Sequence, residues 1–157
     1  MKNIFFVSII IVALVSVFAF KKSNKLNDDE GIKFNQISLK EAEEIATKKN
    51  KLILVYFHAK WCGPCRQMKM ETFSNKEVGD FYNKNFINVS FDVDEGEGRS
   101  LSQTFQVSNI PYFLVLDKNK NMVGKTYGYY SSQDFLAIGK KILNHSLSLQ
   151  KSNKNKL

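Results

Sequence analysis

The two cysteines of this chain, Cys62 and Cys65, lie three residues apart in the sequence Trp-Cys-Gly-Pro-Cys. The run from Leu52 to Phe57, shortly before them, is apolar or aromatic throughout and rich in branched side chains, which is typical of a central strand covered on both faces. Pro64 suits the first turn of a helix, because its missing N–H removes no helical hydrogen bond there. The sequence therefore predicts a strand, a short loop and then a helix that begins at the first cysteine.

Two thiols at this spacing can exchange electrons. A helix N-terminus leaves backbone N–H groups unpaired and carries partial positive charge, which stabilises a thiolate and makes Cys62 the candidate nucleophile. Cys65 follows one helical turn later on the same side, so its sulfur can reach Cys62 and form or resolve a disulfide. Gly63 leaves the approach to Cys62 open for a bulky partner.

Two other interpretations of the pair involve no redox chemistry. In the first interpretation, the cysteines supply two of the four ligands of a tetrahedral zinc site, but only His58 and His145 are left as nitrogen donors. They form a purely structural disulfide in the second, although so short a loop gains little stabilisation from chain entropy. Both alternatives stay open here, and the redox interpretation is favoured.

A second proline, Pro111, precedes the apolar run from Tyr112 to Leu116, which is predicted to be a strand. A sheet tolerates proline at the first residue of a strand or on an edge. Only about 5 to 6% of X-Pro bonds in folded proteins are cis. The local sequence alone therefore indicates an ordinary strand-entry proline.

The first twenty residues differ from the rest in composition. Lys2 precedes a seventeen-residue apolar stretch, Ile4 to Phe20, that only two serines interrupt. This pattern predicts an export signal or an uncleaved membrane anchor over residues 1–20. A flexible linker (21–31), a compact domain (32–147) and a polar basic tail (148–157) are expected to follow. The domain is then expected outside the cytoplasm, in the periplasm or anchored to the outer face of the inner membrane.

Capping patterns and periodicity predict the other elements. Ser38 and Glu41 have capping-box spacing, and Ser74 with Glu77 repeats it. The alternation from Ile87 to Val93 predicts a strand with one polar face. Helices are predicted after Ser38, after Cys62, after Ser74, over 101–107 and from Ser131. Strands are predicted over 52–57, 87–93, 112–116 and 122–129, with an extra edge strand near 32–37.

The charge pattern indicates neither nucleic-acid nor metal binding. The formal net charge is +8, but the lysine-rich tail has no aromatic residues and suits a solvated end. The acidic residues from Asp92 to Glu97 lack an EF-hand pattern, since the twelfth position from Asp92 is Gln103. We therefore expect no nucleic-acid partner, no metal and no cofactor.

The run from Leu52 to Arg66 resembles the active site of the thioredoxin family, and the resemblance extends over about 32–147. The segments 71–78 and 86–95 are similar to the exported thioredoxin-like branch that includes the C-terminal domain of bacterial transmembrane disulfide reductases. The resemblance implies an α/β thioredoxin fold, with a central mixed sheet of four to five strands flanked by helices. It also implies a thiol-disulfide oxidoreductase, which is expected to be a monomer.

The resemblance further implies the roles of several residues. A cis bond is expected between Ile110 and Pro111, packed against the disulfide, and the backbone of Ile110 is expected to pair with a substrate chain. Together with Trp61, Gly63 and Pro64, these two residues form the expected substrate-binding surface.

The Gly-Pro dipeptide between the cysteines is that of reducing thioredoxins, so net reduction of protein disulfides is expected. A reductase outside the cytoplasm also needs a membrane electron donor. The alternatives are a net oxidase or isomerase, and an interaction or chaperone module with a static disulfide.

The chain departs from the family pattern near the cysteines. Tyr56 stands where cytoplasmic thioredoxins have a buried aspartate that serves as a proton relay for the second cysteine. Ser90 replaces the lysine that partners that aspartate, and Met70 replaces a helix-kinking proline. His58 is either a substitute base or a side chain that packs beneath the site.

Overall fold

The computed structural model describes residues 30–154, apart from the side chains of three residues near the C-terminal end. The predicted leader (1–20) and linker residues 21–29 lie outside the described residues. None of the helices within residues 30–154 is long and apolar enough to cross a membrane.

A four-stranded mixed sheet forms the centre of the domain, in the order β2-β1-β3-β4. β1 is parallel to β2 and antiparallel to β3, and β4 is antiparallel to β3. Every residue of β1 from Leu52 to Phe57 is buried, as the apolar run predicts. The strands are β1 (Leu52–His58), β2 (Phe86–Asp92), β3 (Tyr112–Leu116) and β4 (Met122–Tyr127).

Within residues 30–154, five helices flank the sheet and complete the predicted thioredoxin fold. They are α1 (Leu39–Lys49), α2 (Gly63–Gln67), α3 (Lys76–Asn85), α4 (Gly96–Thr104) and α5 (Ser132–Lys154), with a π-helical segment (Met68–Phe73) directly after α2. The predicted capping box at Ser38 is confirmed, because its side chain accepts the Glu41 N–H and the Glu41 carboxylate accepts the Ser38 N–H. α3 begins one residue later than predicted, since Asn75 rather than Ser74 caps it.

The core has one layer on each face of the sheet. On the first face, Ala42 and Ala46 of α1 pack against Val55 and Phe57 of β1. On the second face, an aromatic cluster joins α3, β1, β3 and α5. Its buried rings belong to Tyr56, Phe73, Tyr82, Phe113 and Phe135. Both cysteines lie on this second face.

The extra edge strand predicted near 32–37 is wrong, since this segment forms only an isolated bridge between Asn35 and Val89. The polar face expected for β2 is present, but it is buried at Asn88, whose amide donates to the Asn83 side chain at 3.1 Å. Asn35 also donates to the Asn88 carbonyl, so the segment before α1 covers this part of β2 and removes it from solvent.

Three other elements differ from their predicted limits. α4 begins at Gly96, five residues before the predicted start, and β4 ends at Tyr127 rather than Tyr129. α5 begins one residue after Ser131 and runs to Lys154. Residues 148–154, assigned from composition to a polar tail, are therefore helical.

Candidate active site

The Cys62–Cys65 pair lies where β1 passes into α2, at the predicted strand-loop-helix junction. Cys62 is the N-cap of α2, and the two sulfur atoms are joined in a disulfide with a Cα–Cα distance of 5.2 Å. The Cys65 N–H donates to the Cys62 sulfur at 3.1 Å. Because a backbone N–H aimed at sulfur stabilises negative charge there, this geometry favours Cys62 as the thiolate of the pair.

Trp61, Gly63 and Pro64 form an exposed rim around the pair, whereas both cysteines are buried. The Trp61 side chain is 68% exposed, and its indole N–H donates to Asp94 Oδ2 at 2.8 Å. A single strong hydrogen bond therefore orients a large aromatic surface that faces solvent beside the disulfide.

The Ile110–Pro111 peptide bond is cis, as the family resemblance implies. Ile110 is half-buried and packs against the core cluster that contains both cysteines. The Pro111 carbonyl accepts the Gly128 N–H at 2.8 Å, which ties this loop to the end of β4. The cis bond is therefore present as expected, and Ile110 belongs to the same side of the core as the two cysteines.

Tyr56 lies behind Cys65 and is almost fully buried. Its ring packs against Phe34, Phe73 and Phe113 at centroid distances of 5.0 to 5.6 Å. Its hydroxyl donates to the Cys65 carbonyl at 3.5 Å, and burial raises the pKa of the phenol above its ordinary value. The phenol therefore stays protonated near neutral pH and cannot accept a proton from the second thiol.

A cleft of about 830 Å³ opens beside the buried thiol, and it is open to solvent. Its walls include Tyr56, His58, Cys65, Lys69, Asp92 and Glu95. The His58 ring stacks on the Tyr56 ring with centroids 5.1 Å apart, so the candidate substitute base contacts the residue that stands at the family's aspartate position.

Burial lowers the pKa of His58, the Asp92 and Glu95 carboxylates oppose that change, and the Lys69 ammonium adds to it. The imidazole is therefore neutral near pH 7, in the form that accepts a proton.

Two hydrogen bonds join the π-helical segment to the loop after β4. The Tyr130 N–H donates to the Met68 sulfur, and the Thr72 hydroxyl donates to the Tyr130 carbonyl. Met70, which replaces the family's kinking proline, lies within this segment and is exposed. The π-helical turn therefore occurs here without a proline.

From the sequence, Asp92 and Asp94 were considered only as calcium ligands, which their pattern does not support, and their contacts with the site were missed. Asp94 orients Trp61, and the Asp92 side chain accepts the Asp94 N–H at 3.0 Å. One signal was present in the sequence: Asp92 lies at the end of the strand predicted over 87–93, and Asp94 follows it directly. The carboxyl ends of adjacent parallel strands meet at one edge of a sheet.

The fold and the bonded cysteine pair define a thioredoxin-like oxidoreductase. The family model of a thioredoxin-like domain matches residues 39–143. The chain therefore belongs to the thioredoxin-like family.

Individual relatives agree with this assignment. Thioredoxin 2 of Plasmodium falciparum (isolate 3D7) is 31% identical over 124 residues, which are 79% of this chain and 69% of that protein. The solution structure of a putative disulphide-isomerase from Bacteroides thetaiotaomicron is 30% identical, with a TM-score of 0.63 over 69% of this chain and 89% of that one.

A third similar structure is the oxidised DsbD c-terminal domain of Neisseria meningitidis. It is 19% identical, with a TM-score of 0.57 over 70% of this chain and 97% of that one, and it shows the shared fold. The family match and the Cys-X-X-Cys pair together support a thiol-disulfide oxidoreductase activity.

Proposed function

We propose that this chain reduces protein disulfides outside the cytoplasm, using Cys62 and Cys65 as a dithiol. The observation that carries the proposal is the placement of the Cys62 sulfur at a helix N-cap, 3.1 Å from the Cys65 N–H and in bonding contact with the second sulfur. A nucleophile and a resolving group are thereby held on one helical turn.

The reaction proceeds by two exchanges of sulfur partners. The Cys62 thiolate attacks one sulfur of a substrate disulfide, which forms a mixed disulfide and expels the other substrate sulfur as a thiolate. The Cys65 thiolate then attacks the Cys62 sulfur, re-forms the Cys62–Cys65 disulfide and expels the second substrate sulfur. The substrate gains two electrons and two protons, and the dithiol loses them.

The exposed rim supplies the docking surface for the substrate. Trp61, Gly63 and Pro64 are open to solvent, and Ile110, before the cis-proline, is half-buried against the core cluster that contains the pair. An extended segment that contains a disulfide fits this surface by pairing with the Ile110 backbone. The proposed partners are disulfide-containing proteins, and the protein acts as a monomer without a cofactor.

The proposed location and direction rest on the apolar leader and on the Gly63-Pro64 dipeptide. Residues 1–20 carry the domain across the membrane, or tether it there, and a membrane electron donor regenerates the dithiol. Protease treatment of intact spheroplasts tests the location: digestion of the domain is expected, and protection until lysis would place it in the cytoplasm.

Turnover of a disulfide-containing protein tests the reaction. With insulin as the probe and dithiothreitol as the final reductant, the wild-type chain is expected to accelerate reduction, and Cys62→Ser and Cys65→Ser are each expected to abolish the acceleration. No acceleration by the wild-type chain would favour a static disulfide. The direction is tested separately by alkylation of the protein in cells, where a mostly oxidised pool would favour a net oxidase.

A further inference from the structure

The second exchange step requires that the buried Cys65 thiol lose a proton. A free thiol has a pKa of about 8.5, and only the thiolate attacks a disulfide. Cys65 is 5% exposed, and it lines the cleft beside the site. The groups that line this cleft are therefore the candidate acceptors of its proton.

The Tyr56 hydroxyl, which contacts Cys65, is itself protonated and serves only as a hydrogen-bond donor to the Cys65 carbonyl. The cleft supplies the other route, since Cys65 and His58 both line it and it has room for water. His58 stacks on the Tyr56 ring that reaches Cys65. The imidazole therefore stacks on the ring whose hydroxyl contacts the backbone of the resolving cysteine.

Four carboxylates line the same cleft, those of Glu30, Asp92, Glu95 and Glu97, and each already has another partner. Glu95 forms an ion pair with Lys60, Glu97 accepts the Leu39 N–H at 3.3 Å, and Asp92 accepts the Asp94 N–H. An ionised carboxylate is also a weak base near neutral pH compared with imidazole. His58 is the better matched acceptor among these groups.

Asp92 is placed to support a charged imidazole. It lies directly opposite His58 in the pairing of β1 with β2, and its carboxylate attracts the imidazolium, as does that of Glu95. Lys69, on the π-helical segment, repels it. When His58 takes up a proton, its positive charge is therefore attracted by two carboxylates and repelled by one ammonium group.

We propose that His58 accepts the Cys65 proton through water held in the cleft, and that Asp92 stabilises the imidazolium that results. The inference rests on the proposed exchange reaction and assigns its second step. The proton moves from Cys65 to water and from water to His58; the new thiolate attacks Cys62, and the Cys62–substrate bond breaks. The departing substrate thiolate then takes up the proton that His58 releases.

The pH dependence of the second step follows from this route. When His58 is protonated at low pH it cannot accept, so release of the substrate slows as pH falls through the pKa of His58. Above that pKa the rate levels off. Without His58 the rate instead follows the thiolate fraction of Cys65, and rises about tenfold per pH unit up to the thiol pKa.

The reduced full chain in a mild non-ionic detergent, mixed rapidly with Ellman's reagent, separates the two steps. Cys62 attacks first and releases one thionitrobenzoate; attack of Cys65 on the resulting mixed disulfide releases the second. The matched pair of variants is His58→Asn and His145→Asn, since His145 is the other histidine of the chain and lies on α5. The first release serves as an internal control for the proposed function.

His58→Asn is expected to slow the second release at about pH 7 by tenfold or more and to convert the plateau into a continuous rise with pH. His145→Asn is expected to keep the wild-type profile, and added imidazole is expected to restore part of the lost rate. An unchanged second-release profile in His58→Asn, with the first release intact, would overturn the inference but not the proposed function. A missing first release in the wild-type chain would overturn both.

A second variant tests the same route with His58 in place. Asp92→Asn keeps the oxygen that accepts the Asp94 N–H but removes the charge that stabilises the imidazolium. The midpoint of the second-release profile is expected to move to lower pH. A midpoint identical to that of the wild-type chain would contradict the role of Asp92 in this route.

Discussion

Replacing Tyr56 with aspartate is expected to destabilise the domain strongly. Tyr56 is 6% exposed, and its ring contacts three phenylalanine rings and His58. Truncation of a buried aromatic side chain costs about 3–5 kcal/mol. With an m-value of about 2 kcal/mol/M in urea, a loss of about 4 kcal/mol moves the unfolding midpoint down by about 2 M.

Tyr56→Phe is the matched control, because it keeps the ring contacts and removes only the hydroxyl. The hydrogen bond from that hydroxyl to the Cys65 carbonyl is long, at 3.5 Å. We therefore expect Tyr56→Phe to cost at most about 1.5 kcal/mol. The two variants together separate ring packing from the polar contact.

Tyr56→Asp is also expected to change the rate of the second exchange step. A carboxyl group at position 56 would be buried behind Cys65, and burial raises its pKa towards neutrality, so it would accept a proton where the phenol does not. In the His58→Asn background, Tyr56→Asp is expected to restore a faster second release of thionitrobenzoate at about pH 7. Tyr56→Phe in that background is expected to restore nothing.

Urea unfolding followed by circular dichroism measures the first effect and rapid mixing measures the second. A loss below about 1 kcal/mol for Tyr56→Asp would show that the ring is not part of the core, and would refute the packing argument. A double variant that folds but releases no faster than His58→Asn would refute the argument about the missing carboxylate.

Other consequences follow from packing and protonation. A methyl group on Gly98 would lie 2.0 Å from the Asp92 carbonyl oxygen, so Gly98→Ala is expected to lower stability by about 1–3 kcal/mol. It is also expected to change the fluorescence of Trp61, because Asp92 accepts the N–H of Asp94 and Asp94 in turn accepts the indole N–H. Phe135→Ala is expected to lower stability by about 3–5 kcal/mol in thermal unfolding. Because folding lowers the pKa of His58, its contribution to stability is present above about pH 6.5 and is lost as pH falls through the folded pKa. A stability curve between pH 5 and 7 that His58→Asn leaves unchanged would contradict this.

The sequence predicted those parts of the fold that depend on local signals. The apolar run of β1, the capping box at Ser38 and the proline in the first turn of α2 each act within a few residues, and each is found as expected. The position of the cysteine pair follows from these signals. That is why the redox site was recognisable before its geometry was known.

The parts that were missed depend on contacts between distant segments. Asn88 is buried because residues around Asn35 cross β2, and no periodicity within β2 records that. The hydrogen bond from Trp61 to Asp94 joins residues 33 apart in sequence. The cleft beside Cys65 is likewise formed by several segments, so its access to His58 appears only in the folded chain.

Identification of the cysteine that carries a mixed disulfide tests the central claim most directly. Reduced Cys65→Ser and Cys62→Ser chains, incubated with oxidised glutathione at about pH 7 and digested for mass spectrometry, are compared at early times. We expect rapid, near-stoichiometric glutathione on Cys62 in the first variant, and slow modification of Cys65 in the second, because only the Cys62 sulfur lies at the helix N-cap and accepts a backbone N–H. Faster modification of Cys65, or no modification of either chain, would contradict a redox site in which Cys62 is the nucleophile.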